Sequence, residues 1–247
     1  MKRWIGGSWV VLWLAMGCSS EDPGVSLGVQ LMHTPSKGAA QSGTERTVTR
    51  PNGDVVRLTR GWVNVESVEI FACPATAWER FLDALSPVAT ARAHTPGTPT
   101  RIGTPHVDDL LRSDAQALAL GTLKPPADRY CRAAVTLGPA DADAEGLPAA
   151  VPMSGNTVWL EGTVTPAAGG TAQSFQLTSA AEADADVQFT GAGGAAAPVV
   201  LTTAGVSRTG RVVLRYDRWF DAVDPLEDGA ADALVSAIAE SVELQQE

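Results

Sequence analysis

From Thr47 to Tyr216 the apolar side chains fall at alternate positions over short stretches, and the stretches break at Gly, Pro or Asn-Gly. A period of two belongs to half-buried strands, and many short strands separated by turns build sheets rather than helical bundles. Thr47–Arg50 and Val55–Thr59 flank Pro51-Asn52-Gly53-Asp54, the turn chemistry of a hairpin. Within Trp62–Phe71 the parity changes: Val63 and Val65 share one face, Val68 and Ile70 the other. That change predicts a bulge or bend near Glu66 and Ser67. Further strands are predicted over 116–123, 130–137, 157–164, 174–177, 187–189 and 211–216. In the second of these, Cys131, Ala133, Val135 and Leu137 share the inward face.

Helical spacing occurs twice. Trp78, Phe81, Leu82 and Leu85 follow a Thr76/Glu79 capping box, and Leu234, Val235, Ile238 and Val242 form a stripe within Asp228–Glu243. The expected fold is mainly β: an antiparallel β-sandwich of prealbumin or immunoglobulin type, with one short internal helix and a C-terminal helix.

The N-terminus gives an address. Lys2 and Arg3 precede an apolar run, Trp4–Met16, that is shorter than the ~20 residues a membrane-spanning helix needs; it fits a processing segment. Leu14, Ala15, Gly17 and Cys18 resemble the lipobox of bacterial lipoproteins. The resemblance implies that residues 1–17 are a signal peptide and that Cys18 is lipidated (palmitate) and begins the mature protein. Ser19 after the cysteine implies an outer-membrane lipoprotein, held to the membrane by its lipid anchor. Residues 18–44, rich in Ser, Gly, Pro and Thr, read as a flexible tether. Residues 45–247 read as a single β-sandwich domain with its C-terminal helix.

Two cysteines remain, Cys73 and Cys131. In an oxidising envelope they are read as a disulfide rather than a metal or redox pair, closing a loop worth about 4 kcal/mol in the chain-entropy model. The chain carries a net charge of −10, and loss of Lys2 and Arg3 would make it more acidic. Such a surface repels phosphate backbones, which argues against a nucleic-acid partner.

Three motif-like runs lack their required context. Gly24-Val25-Ser26-Leu27-Gly28 matches G-x-S-x-G without the preceding strand and following helix that a nucleophile elbow needs. Gly191–Gly194 leads to Pro198 and a β-branched run rather than to the helix that receives a pyrophosphate. The acidic turn 141–146 imitates an EF-hand but places Pro152 where the bidentate acid belongs.

The leading expectation is therefore a lipid-anchored envelope domain, not an enzyme, without a cofactor, that binds or scaffolds an envelope protein or small ligand. The alternative is a copper- or zinc-binding lipoprotein. It would draw on His94, His106, Asp108 and Asp109 in the long 88–113 segment, which offers nitrogen and oxygen ligands without a compact ligand spacing. An envelope hydrolase is the third reading. Trp219, Phe220, Asp221 and Asp224, directly after the last strand, are a candidate recognition surface.

Trp62–Ile70 (WVNVESVEI), Pro126–Tyr130 (PADRY) and the Trp219-Phe220-Asp221 end, taken in order, are similar to a group of bacterial surface lipoproteins related to the MbnP-like proteins found near methanobactin (copper-chelator) genes. The resemblance spans roughly residues 45–225 and implies a β-sandwich and copper handling. No set of copper-ligating histidines maps onto this chain, which has three His in all.

Overall fold

The structure is a computed structural model that describes residues 25–38, 41, 43–74, 98–149, 151–203 and 207–246. Among the described residues, thirteen strands join in one sheet. They are β1 (Leu27–His33), β2 (Arg46–Thr49), β3 (Val55–Ala72), β4 (Arg101–Ile102), β5 (His106–Asp109), β6 (Leu118–Leu123), β7 (Arg129–Leu137), β8 (Val158–Thr165), β9 (Gln173–Ser179), β10 (Ala183–Thr190), β11 (Val199–Val200), β12 (Arg208–Leu214) and β13 (Val242–Gln246). The helix α1 (Ala230–Glu240) stands between β12 and β13, after a 3₁₀ turn at Tyr216–Arg218.

The main path of the sheet is β6-β1-β12-β13-β10-β7-β3-β8-β9, with the shorter strands attached at its side. β3 is its spine. Its first half pairs with β8 and its second half with β7, while β2, β5 and β4 pair with successive stretches of it. The handover falls where the apolar parity changes: the β3–β7 register slips between Val65 and Ser67. One extra residue there bends the strand and strengthens its twist. The sheet curls until β6 packs against β4, and the Lys124 N–H donates to the Pro99 carbonyl at 3.1 Å.

The main core lies within the curl. Leu27 and Leu31 of β1, Leu58 and Val63 of β3, Val135 and Leu137 of β7, Leu160 of β8 and Val212 and Leu214 of β12 are all buried, with Leu234, Val235 and Ile238 of α1 against them. A smaller cluster on the outer side gathers Val107, Ala140, Met153 and Trp159. There the Trp62 and Trp159 rings stand 5.5 Å apart. Gly162, inside β8, is required by close approach: a Cβ there would meet the Arg57 carbonyl oxygen at 2.2 Å and the Phe175 ring at 2.9 Å. Phe175 lies opposite it on β9 and covers the bare backbone.

Several expectations are corrected. The tether does not extend to residue 44, because Leu27–His33 is an interior strand of the sheet, flanked by β12 and β6. The sheet is not purely antiparallel: β1 runs parallel to β12, and β10 parallel to β13. Both pairings join strands distant in sequence, where no hairpin dictates direction. The C-terminal helix ends at Glu240, and 242–246 returns as β13. The internal helix expected around Trp78–Leu85 lies outside the described residues.

Candidate functional site

The densest chemistry in the fold is a buried ionic cluster at the His33 end of β1. His33, Arg46 and Asp108 are 0% exposed and Tyr216 is 1% exposed. β1 delivers His33, β2 opens with Arg46, β5 carries Asp108, the turn after β5 supplies Arg112 and Asp114, and the 3₁₀ turn brings Tyr216.

Asp108 stands between a histidine and an arginine. One carboxylate oxygen lies 2.8 Å from His33 Nδ1, and the other accepts from Arg112 Nη2 at 2.6 Å. The second imidazole nitrogen, Nε2, is 2.7 Å from the Arg112 carbonyl oxygen. Both ring nitrogens thus have an oxygen within hydrogen-bond distance. Asp114 is bound as tightly. Its Oδ2 accepts from the Tyr216 hydroxyl and from the Gln41 N–H, each at 2.6 Å. Its Oδ1 lies 3.1 Å from Arg46 Nε, an ion pair by distance in which the N–H is not aimed at the oxygen. Arg46 Nη2 also donates to the Arg112 carbonyl.

Burial first, then the hydrogen bond and negative charge of Asp114, push the Tyr216 phenol far above its ordinary range. It therefore acts as a fixed donor rather than a proton carrier. Next to the cluster, Ala115 holds φ at 58° while its N–H donates to the His33 carbonyl at 3.0 Å. Left-handed backbone at a residue other than Gly costs on the order of 1 kcal/mol, which the surrounding bonds offset.

As chemistry, this cluster is a brace. Both nitrogens of His33 are engaged and the ring is sealed from solvent, so it has neither a free lone pair nor a route to a substrate. Cations and carboxylates here neutralise one another where an unpaired charge would cost several kcal/mol.

The residues singled out from the sequence are dispersed. Asp108 belongs to the brace. His106 is buried, with Nδ1 2.8 Å from the Thr104 carbonyl and Nε2 3.2 Å from a Glu145 carboxylate oxygen. Asp109 accepts the Leu111 N–H at 2.9 Å and so caps the turn after β5. His94 lies outside the described residues, and so does Cys18. Among the described residues no three His, Cys, Asp or Glu side chains converge as metal ligands would. Cys73 and Cys131 are joined in a disulfide that ties the end of β3 to the start of β7. Cys131 is only half-buried, because a second slip in the β3–β7 register near Phe71 and Ala72 turns Tyr130 inward instead.

The aromatic recognition surface is corrected as well. Trp219 and Phe220 are 0% exposed. The Trp219 indole donates to Ser241 Oγ at 2.8 Å, and Phe220 stands 6.4 Å from Phe175. Asp224 pairs with Arg50 at 3.1 Å, which leaves Asp221 as the exposed member of the group.

His33, Arg46, Asp114 and Tyr216 escaped sequence reasoning. A signal was present: Val25, Leu27, Val29 and Leu31 alternate cleanly up to His33. The Ser/Gly/Pro character around them disguised a strand as a tether.

Accessible surface of binding dimensions lies elsewhere. An open depression of about 820 Å³ lies over β10, β12 and β13, with Arg211, Arg215, Glu243 and the Gly191–Gly194 turn at its walls. Arg215 is fixed there by a 2.6 Å bond to Glu243.

No family model, curated protein or solved structure matches the chain. The functional reading rests on its own chemistry.

Proposed function

We propose that this chain is a lipid-anchored cell-envelope protein whose β domain binds or scaffolds a partner and catalyses no reaction. The Cys73–Cys131 disulfide carries the proposal, because such crosslinks form and persist outside the reducing cytoplasm. The N-terminal pattern agrees: Lys2 and Arg3, the apolar Trp4–Met16, then Leu14 to Cys18. With Cys18 acylated, residues 19–24 would separate the lipid from Val25, a reach of at most about 25 Å. The domain would then sit close against the bilayer.

The binding role is supported by the contrast between the two kinds of polar site. His33, with its carboxylate and arginine neighbours, belongs to a sealed brace, whereas the open depression over β10, β12 and β13 offers fixed charges to solvent. The proposal extends to architecture. Two arms that curl from the bend in β3 around one core support reading the sheet as the leaves of a sandwich.

Cell fractionation tests the anchor. The wild-type chain should sediment with membranes and stay there in high salt, while Cys18→Ser should appear in the soluble fraction or remain unprocessed. Equal distribution of the two, with Cys18→Ser cleaved as the wild type is, would contradict the proposal.

A further inference from the structure

The strand path has two ends, and they differ. β6 lies against β4. At β9 the helix α1 packs alongside, and Ser179 Oγ donates to Asp232 Oδ1 at 2.5 Å, but among the described residues no backbone hydrogen bond links Gln173–Thr178 to anything but β8. An open row of N–H and C=O groups is a template for another strand, and proteins usually blunt it with charge, Pro or a bulge. β9 has none of these. Its sequence is QSFQLTS, and its register with β8 runs unbroken from Val164↔Gln173 to Val158↔Ser179.

The strand is also complementary to itself. Read backwards about Gln176, it sets Phe175 opposite Leu177, Ser174 opposite Thr178 and Gln173 opposite Ser179. At the centre of the buried face, where Phe175 and Leu177 are each 7% exposed, apolar meets apolar, with the polar Gln173 and Ser179 at its ends; hydroxyl meets hydroxyl on the solvated face. Such cross-strand pairs are favourable, and no like charges oppose each other.

We propose that β9 is a dimerisation edge. Its occupant is β9 of a second copy of this chain, paired antiparallel across a two-fold axis at Gln176, so that one sheet continues through both copies. A foreign strand would satisfy the backbone equally well; the internal symmetry of the sequence favours a copy.

Charge reversal at the axis tests it. Native mass spectrometry of the full chain released from non-ionic detergent should show a dimer. Gln176→Lys and Gln176→Glu should each weaken it by more than about tenfold, because like charges would meet across the axis. Mixing the two variants should restore a heterodimer. Gln176 is exposed, so both variants should keep the parent's circular dichroism and melting temperature. As an independent register check, Ser174→Cys in one copy should crosslink to Thr178→Cys in another. A monomer at all concentrations, a dimer that survives Gln176→Lys, or failure of the mixture to reassociate would overturn the proposal.

Discussion

His33 shows how one side chain couples distant parts of the chain: its ring reaches Asp108 and the Arg112 carbonyl, both far away in sequence. Removing one member of a buried ionic set leaves its partner uncompensated. His33→Ala and Asp108→Ala should therefore each lower stability by about 3–5 kcal/mol in urea unfolding. The double variant should cost clearly less than the two losses added, since the second removal relieves the charge stranded by the first. Additive losses would show that the two do not act together.

The two tyrosines give a pH test. Burial, followed by the neighbouring carboxylate, raises the phenols of both Tyr130 and Tyr216. A raised folded-state value stabilises fully below the unfolded value, about 10, and that stabilisation is lost as pH rises from there through the folded-state value. In the folded protein Tyr216 should therefore contribute no tyrosinate absorbance at pH 10 and Tyr130 should titrate later than a free phenol, with the Tyr216 signal appearing together with alkaline unfolding. A normal titration at about pH 10 in folded protein would contradict the buried placement.

Among the elements, the strands of the middle of the chain were the most legible. The Asn52-Gly53 hairpin, the parity change at Glu66 and Ser67 and the alternation in β7, β8 and β12 all reappear in the fold, because each depends on neighbours within a few residues. β1 was hidden by composition. The parallel pairings and the brace were hidden because they join segments distant in sequence, and no local period encodes a partner. Trp219 and Phe220 were misplaced for a related reason: their adjacency to Asp217 and Asp221 suggested a surface, but the 3₁₀ turn swings both rings into the core.

Two expected outcomes belong to elements. Gly162→Ala should destabilise by about 1–3 kcal/mol, since the added methyl meets the Arg57 carbonyl and the Phe175 ring; an unchanged unfolding midpoint would contradict that packing. Reduction of Cys73–Cys131, which closes a separation of 58 residues, should cost about 4 kcal/mol by the chain-entropy model. Comparison of oxidised protein with the Cys73→Ser/Cys131→Ser variant reads this directly.

At the scale of the whole molecule, the sheet, the brace and the crosslink tie one body together, and its first described residue, Val25, lies close in sequence to Cys18. An acylated Cys18 would make the chain a fixture of the membrane surface. Intact-mass spectrometry of protein extracted from its native membranes tests this most directly. The expected species begins at Cys18, carries acyl chains there, and has the mass of a disulfide between Cys73 and Cys131. A species that retains residues 1–17, or one with both thiols free, would contradict the account.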